Sequence, residues 1–214
     1  MAIARWSIMN TTRFIGRPSL RRLLAASLAG LPLLAAAATF QVTLNTTPLA
    51  GQQGYLAFDL YKGDTGTVNQ ADVSAFSSTA VLGASSVAGN AVGSLSGTVS
   101  LRSTTFFSEF LQAVTFAAGL TTFNLTLSDN FVAGNTPDSF ALFLLKSSFQ
   151  PYDTSDPSGA DALLSVDLRS PLAPQVYTSA VTTISVVDEP GRLALLGFGL
   201  LFVAGRLPLL RRPA

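Results

Sequence analysis

Thr122-Phe123-Asn124-Leu125-Thr126-Leu127-Ser128 decides the fold of this chain. Every second residue is apolar, and successive side chains of an extended backbone point to opposite faces, so the run is a strand with one buried and one wetted face. Phe40-Gln41-Val42-Thr43-Leu44 repeats the pattern. Outward from these two stretches, β-branched and aromatic residues interleave with Ser, Thr and Asn at Tyr55 to Tyr61, Ser94 to Leu101, Val114 to Ala117, Phe140 to Lys146, Ala162 to Leu168 and Val176 to Val187. Turn-forming residues at Lys62-Gly63-Asp64 and Gly134-Asn135-Thr136-Pro137-Asp138 divide them. Helical periodicity is scarce. Roughly eight or nine short strands spaced by turns predict an all-β fold, a two-sheet antiparallel β-sandwich of jelly-roll-like type. Phe107 to Gln112 also fits a single helical turn. Gly83 to Ser96, nearly devoid of large side chains, reads as a loop or a poorly ordered edge.

The two ends differ in character. Arg13, Arg17, Arg21 and Arg22 precede an apolar stretch from Leu23 to Ala38, which closes on Ala35-Ala36-Ala37-Ala38. A basic region, an apolar core and small residues at the end make a signal peptide, with cleavage expected after Ala37 or Ala38. At the other end, Asp188-Glu189-Pro190 is followed by a nearly continuous apolar segment from Leu193 to Leu210 and then by Arg211-Arg212. A helix there spans about 27 Å against a hydrocarbon core of about 30 Å, so it predicts a single transmembrane helix with its basic end toward the cytoplasm. The division is then 1–38 signal peptide, 39–187 secreted domain and 188–214 tail.

Setting both ends aside changes the composition. The whole chain carries a formal net charge of +1, but from Thr39 to Val187 four basic side chains stand against ten acidic ones, a balance of −6. An acidic domain offers no basic groove to a phosphate backbone, so nucleic acid is not an expected partner. The chain has neither cysteine nor histidine. Disulfide frameworks, thiolate metal sites, Ser-His-Asp and Cys-His nucleophile systems and histidine-bearing zinc sites are therefore excluded from this chain alone.

The order of acidic-proline motif, apolar span and terminal arginines resembles the PEP-CTERM tripartite tail. Asp188 stands where that family has proline and Arg192 where a small polar residue is usual, while Gly191, Leu193, Ala194, Leu195, Leu196 and Gly197 match its continuation. The secreted domain resembles a recurring domain of PEP-CTERM proteins through Val42-Thr43-Leu44-Asn45-Thr46-Thr47-Pro48-Leu49, Ala57-Phe58-Asp59-Leu60 with Gly63-Asp64, Phe106-Phe107-Ser108-Glu109-Phe110 with Gln112, Pro137-Asp138-Ser139-Phe140 and Asp156-Pro157 before Leu163-Leu164. The resemblance implies an exosortase as processing partner after passage through the secretion machinery. It implies transient anchoring in the inner membrane, then residence at the cell surface or in the extracellular matrix of a Gram-negative bacterium, in an exopolysaccharide or biofilm setting. It transfers no catalytic residue, and the protein is expected to be a substrate of sorting rather than an enzyme. The alternative is an ordinary C-terminal anchor.

Carboxylates and tyrosines supply the remaining candidates. A glycosidase needs two facing carboxyl groups; Glu109 is the only glutamate within the domain, and nothing in the sequence obliges a partner to face it. Calcium takes oxygen ligands from Asp and Asn in loops. Asp59 with Asp64 and Asn69 to Asp72 forms one such set, and Asp153, Asp156 and Asp161 another, although Asp and Asn equally favour turns by bonding their own backbone. Tyr55, Tyr61, Tyr152 and Tyr177 are candidates for stacking on sugar rings, which makes a carbohydrate- or calcium-binding extracellular module the second reading.

Overall fold

The computed structural model describes residues 37–64 and 66–188, so all but the last two residues of the expected signal peptide, and Glu189, Pro190 and the apolar stretch after them, lie outside the described residues. Among the described residues there are twelve strands: β1 (Ala38–Asn45), β2 (Gln53–Tyr61), β3 (Gln70–Ser78), β4 (Val81–Ala88), β5 (Ala91–Gly93), β6 (Val99–Arg102), β7 (Phe107–Thr115), β8 (Leu120–Leu127), β9 (Ser139–Lys146), β10 (Leu164–Asp167), β11 (Gln175–Val176) and β12 (Thr183–Asp188). They form two six-stranded antiparallel sheets, ordered β12-β1-β8-β3-β6-β5 and β11-β10-β9-β2-β7-β4. The expected all-β, two-sheet sandwich is what the chain forms. Among the described residues no helix is long and apolar enough to cross a membrane.

Alternation builds the core. In β8, Phe123, Leu125 and Leu127 are buried while Thr122, Asn124 and Thr126 are half-exposed. β1 pairs with β8 over its whole length and offers Phe40, Val42 and Leu44 to the same interior. From the facing sheet, β2 brings Leu56, Phe58 and Leu60, and β9 brings Phe140, Leu142 and Leu144. Phe58 meets Phe123 edge-on at 5.4 Å between ring centroids and Phe110 at 6.4 Å, so one ring ties the two sheets together.

Four expectations are corrected. Gly83 to Ser96, expected as a loop or a poorly ordered edge, is edge rather than loop: it contains most of β4 and all of β5, the last strands of their sheets, and its small side chains suit strands that bury no complete face. Phe107 to Gln112 is strand, not a helical turn, because β7 is clamped between β2 and β4. Val176 to Val187 is two strands in different sheets, β11 and β12. Asn69 to Asp72, expected in a loop, leads into β3, where Ala71 and Val73 are fully buried beside β8 and β6.

The loops at one end are braced by a buried polar knot. Asp138 Oδ1 accepts a hydrogen bond from the Gly63 backbone N–H at 2.7 Å, and its Oδ2 accepts one from Asn69 Nδ2 at 3.0 Å. Asn69 Oδ1 in turn accepts from Ser128 Oγ and from the Asn130 backbone N–H. Gly63 is required here, since a Cβ would lie 2.2 Å from the Thr136 carbonyl oxygen.

Candidate functional site

β1, β8, β3 and β6 turn one face to the core and the other to solvent, and the outer face is a lattice of hydroxyls and amides. The pairing sets Thr39 opposite Thr126, Gln41 opposite Asn124 and Thr43 opposite Thr122, then Asp72 opposite both Thr126 and Ser100. At the end of the sandwich where β1 begins, this face deepens into a groove of about 620 Å³ lined by Gln70, Asp72, Arg102, Thr104, Thr126, Ser128 and Asn130, with Ala37 and Val68 at its margin.

The groove is held rigid by its own polar groups. Arg102 Nε donates to Gln70 Oε1 at 3.0 Å, Gln70 Nε2 donates to both Asp72 carboxylate oxygens at 2.9 and 2.8 Å, and Ser100 Oγ donates to Asp72 Oδ1 at 2.5 Å. The Arg102 guanidinium keeps its terminal N–H groups unpaired among the described residues, and it is exposed. Fixed planar amide, carboxylate and guanidinium groups beside hydroxyls are suited to hydrogen-bonding a polyol, whose own groups are both donors and acceptors.

Comparison of the chain with protein-family models, with curated proteins and with solved structures gives no match. The reading of the site rests on its geometry.

A second depression, about 270 Å³, lies on the outer face of the other sheet, lined by Ala57, Asp59, Tyr61, Glu109, Phe143, Leu145, Pro151 and Ala160. The register sets Glu109 directly opposite Asp59, so the companion carboxylate that the sequence did not reveal is supplied by β2. Tyr61 Oη donates to Asp59 Oδ2 at 2.9 Å, while Asp59 Oδ1 is buried without a hydrogen-bond partner. Burial pushes the Asp59 carboxyl up to about 7, against the Tyr61 hydrogen bond and with the Glu109 charge. Burial also raises Glu109, and burial with the neighbouring Asp59 raises the Tyr61 hydroxyl. Desolvation is the leading cause for both carboxyls, since burial disfavours their charged forms.

The calcium candidates are placed as follows. Asp153, Asp156 and Asp161 all fall in the connection between β9 and β10. Asp156 accepts from the Ser158 backbone and hydroxyl and from the Ala162 N–H, and Asp161 Oδ1 accepts from the Thr154 N–H. Those bonds outweigh the opposing effect of burial and hold Asp156 below the usual carboxylate range. Asp59 and Asp72 of the other set are on strands of different sheets and do not share a loop. Among the described residues no group of three or more His, Cys, Asp or Glu is placed to hold a metal ion.

The four tyrosines lie apart from the polar groove and are engaged locally. Tyr55 stacks on Phe149 at 4.5 Å, Tyr152 Oη donates to Gln52 Oε1 beneath the Lys146 ammonium, and the Tyr177 and Ser165 hydroxyls are 3.1 Å apart. Of the residues expected to direct sorting and cleavage, Ala37 is exposed, Ala38 opens β1 and Asp188 closes β12, while Glu189 and Pro190 lie outside the described residues.

Proposed function

We propose that this protein is an exported surface or extracellular-matrix protein: led out by a cleaved signal peptide, held transiently in the inner membrane by a C-terminal helix and sorted by an exosortase acting at Asp188-Glu189-Pro190. In this reading it is a substrate of sorting and not a catalyst, and its jelly-roll-like sandwich has a structural or adhesive role among exopolysaccharides.

The observation that carries the reading is the pairing of Phe40 with Asp188. β1 and β12 are antiparallel neighbours, so the first residues after the expected signal cleavage and the first residue of the sorting motif stand side by side at one end of the sandwich. The first and last described strands thus bring the two expected processing points to one end of the sandwich. Intact-mass measurement of the protein from cell envelope and culture medium tests this, with Glu189→Ala, Pro190→Ala as the control. Loss of the tail near Asp188 to Gly191 in the wild type alone supports motif-dependent sorting; a retained tail in both leaves a plain anchored domain.

The glycan-contact reading draws on the hydroxyl-and-amide face of β1, β8, β3 and β6 with its groove. Calcium binding is the weaker alternative, because the Asp156 and Asp161 carboxylates are already used by loop N–H groups.

A further inference from the structure

Four strands bound the two sheets, β12 and β5 in one and β11 and β4 in the other. An edge strand presents a row of unpaired N–H and C=O groups, and proteins blunt such edges by shortness, charge, proline or a distorting bulge. β11 has two residues, β5 has three, and β12 ends in an aspartate. β4 is the outlier. It runs eight residues without charge or proline, and Val81 to Val87 are all exposed. Its one irregularity is a bulge between Leu82 and Ser85, where Gln112 Nε2 donates to the Gly83 carbonyl at 2.9 Å; beyond it, Ser85 to Ala88 run in regular register with β7.

The side chains of β4 are uncovered as well. Leu82 and Val87 pair with Val114 and Phe110, two core residues, and so share their inward-facing side of the sheet, yet they are 41% and 56% exposed. Among the described residues the facing sheet ends at the three-residue β5 and covers them only in part. Val81, on the outward side opposite Thr115, is 69% exposed.

Charge identifies what covers this edge. From Val73 to Leu101 the sequence contains no ionisable side chain, although the domain as a whole stands at −6. The flank built by β4 and β5 is therefore neutral on an acidic body. Neither β4 nor β5 offers a charge to select a basic or an acidic partner, and two copies meeting there bring no charged side chain of these strands together, Glu109 opposite Ala88 lying one strand inward. The described chain begins in β1 and ends in β12, and β12 is at the opposite margin of its sheet from β5. We propose that β4 pairs antiparallel with β4 of a second copy, joining two six-stranded sheets across a two-fold axis, with Leu82 and Val87 covered in the process.

The absence of cysteine makes the test clean. Full-length protein in detergent carrying a single Ser85→Cys, Ser86→Cys, Val87→Cys or Ala88→Cys is oxidised and compared with Ser185→Cys on β12. Whatever the register, a two-fold pairing centred on the regular part of β4 brings at least one of the four within disulfide reach of its mate. The expected result is a covalent dimer peaking within Ser85 to Ala88 and none at Ser185. Sedimentation of cysteine-free protein should give a dimer, weakened at least about tenfold by Val87→Lys. A monomer throughout the micromolar range, cross-linking at Ser185 alone, or β4 thiols that are protected in a monomer would overturn the proposal.

Discussion

Asp59 and Glu109 face each other across β2 and β7, two carboxylates in direct register on the outer side of one sheet. Like charges directly opposite each other destabilise a strand pair, and here Asp59 is buried in the depression that Phe143, Leu145 and Pro151 also line, which pushes its carboxyl up to about 7.

This pair makes stability depend on pH. An unfolded aspartate titrates near 3.8, so between about pH 4 and 7 the folded protein holds a proton that the unfolded chain releases. The contribution is full below the unfolded value and is lost as pH rises through about 7. Its upper bound is about 4 kcal/mol. Asp59→Asn should remove most of this slope and raise the urea midpoint at pH 8 while changing little at pH 4. Parallel slopes for variant and wild type would show that Asp59 is not the titrating group.

The Asn69–Asp138 knot should matter more for stability than any surface ion pair. Asp138→Ala leaves the Gly63 N–H and the Asn69 amide without acceptors in a buried site, a loss of about 3 kcal/mol. Asn69→Ala should cost a comparable amount. Arg169→Ala, which removes an exposed pair with Asp167, should stay within about 0.5 kcal/mol. Thermal unfolding of the three variants gives the comparison, and equal midpoints for Asp138→Ala and Arg169→Ala would contradict it.

Affinity electrophoresis tests the polar groove. In gels containing the native exopolysaccharide, wild type should be retarded and the Asp72→Ala, Arg102→Ala double variant less so. The Tyr55–Phe149 stack lies on the other sheet, so Tyr55→Ala should leave retardation unchanged. If Tyr55→Ala abolishes retardation and the groove variant does not, the contact belongs to the aromatic pair.

Calorimetry with calcium should give no binding heat for wild type or for the Asp153→Ala, Asp156→Ala double variant, because the Asp156 carboxylate is spent on Ser158 and Ala162. Saturable heat in the wild type alone would restore the loop as a cation site.

Strands that bury one whole face were legible in the sequence: Phe40 to Leu44, Tyr55 to Tyr61, Thr122 to Ser128 and Phe140 to Lys146 all lie within or against β1, β2, β8 and β9. β3 was missed although Gln70-Ala71-Asp72-Val73-Ser74 alternates, because Asn69 and Asp72 resemble turn residues when their buried partners are not known. β4 had no alternation to find, since an edge that covers no core is under no pressure to carry large side chains on one face.

By itself, the sequence determined the all-β class, the acidity of the stretch from Thr39 to Val187 and the exclusion of cysteine and histidine chemistry, because alternation, charge and composition are local properties of a chain. The tertiary structure alone decided that Asp59 meets Glu109, that Asn69 reaches Asp138, that Phe40 lies beside Asp188 and that β4 is left at an edge. Each depends on which strands pair and in what register, and that is settled by the joint burial of distant apolar faces, which no short stretch of sequence contains.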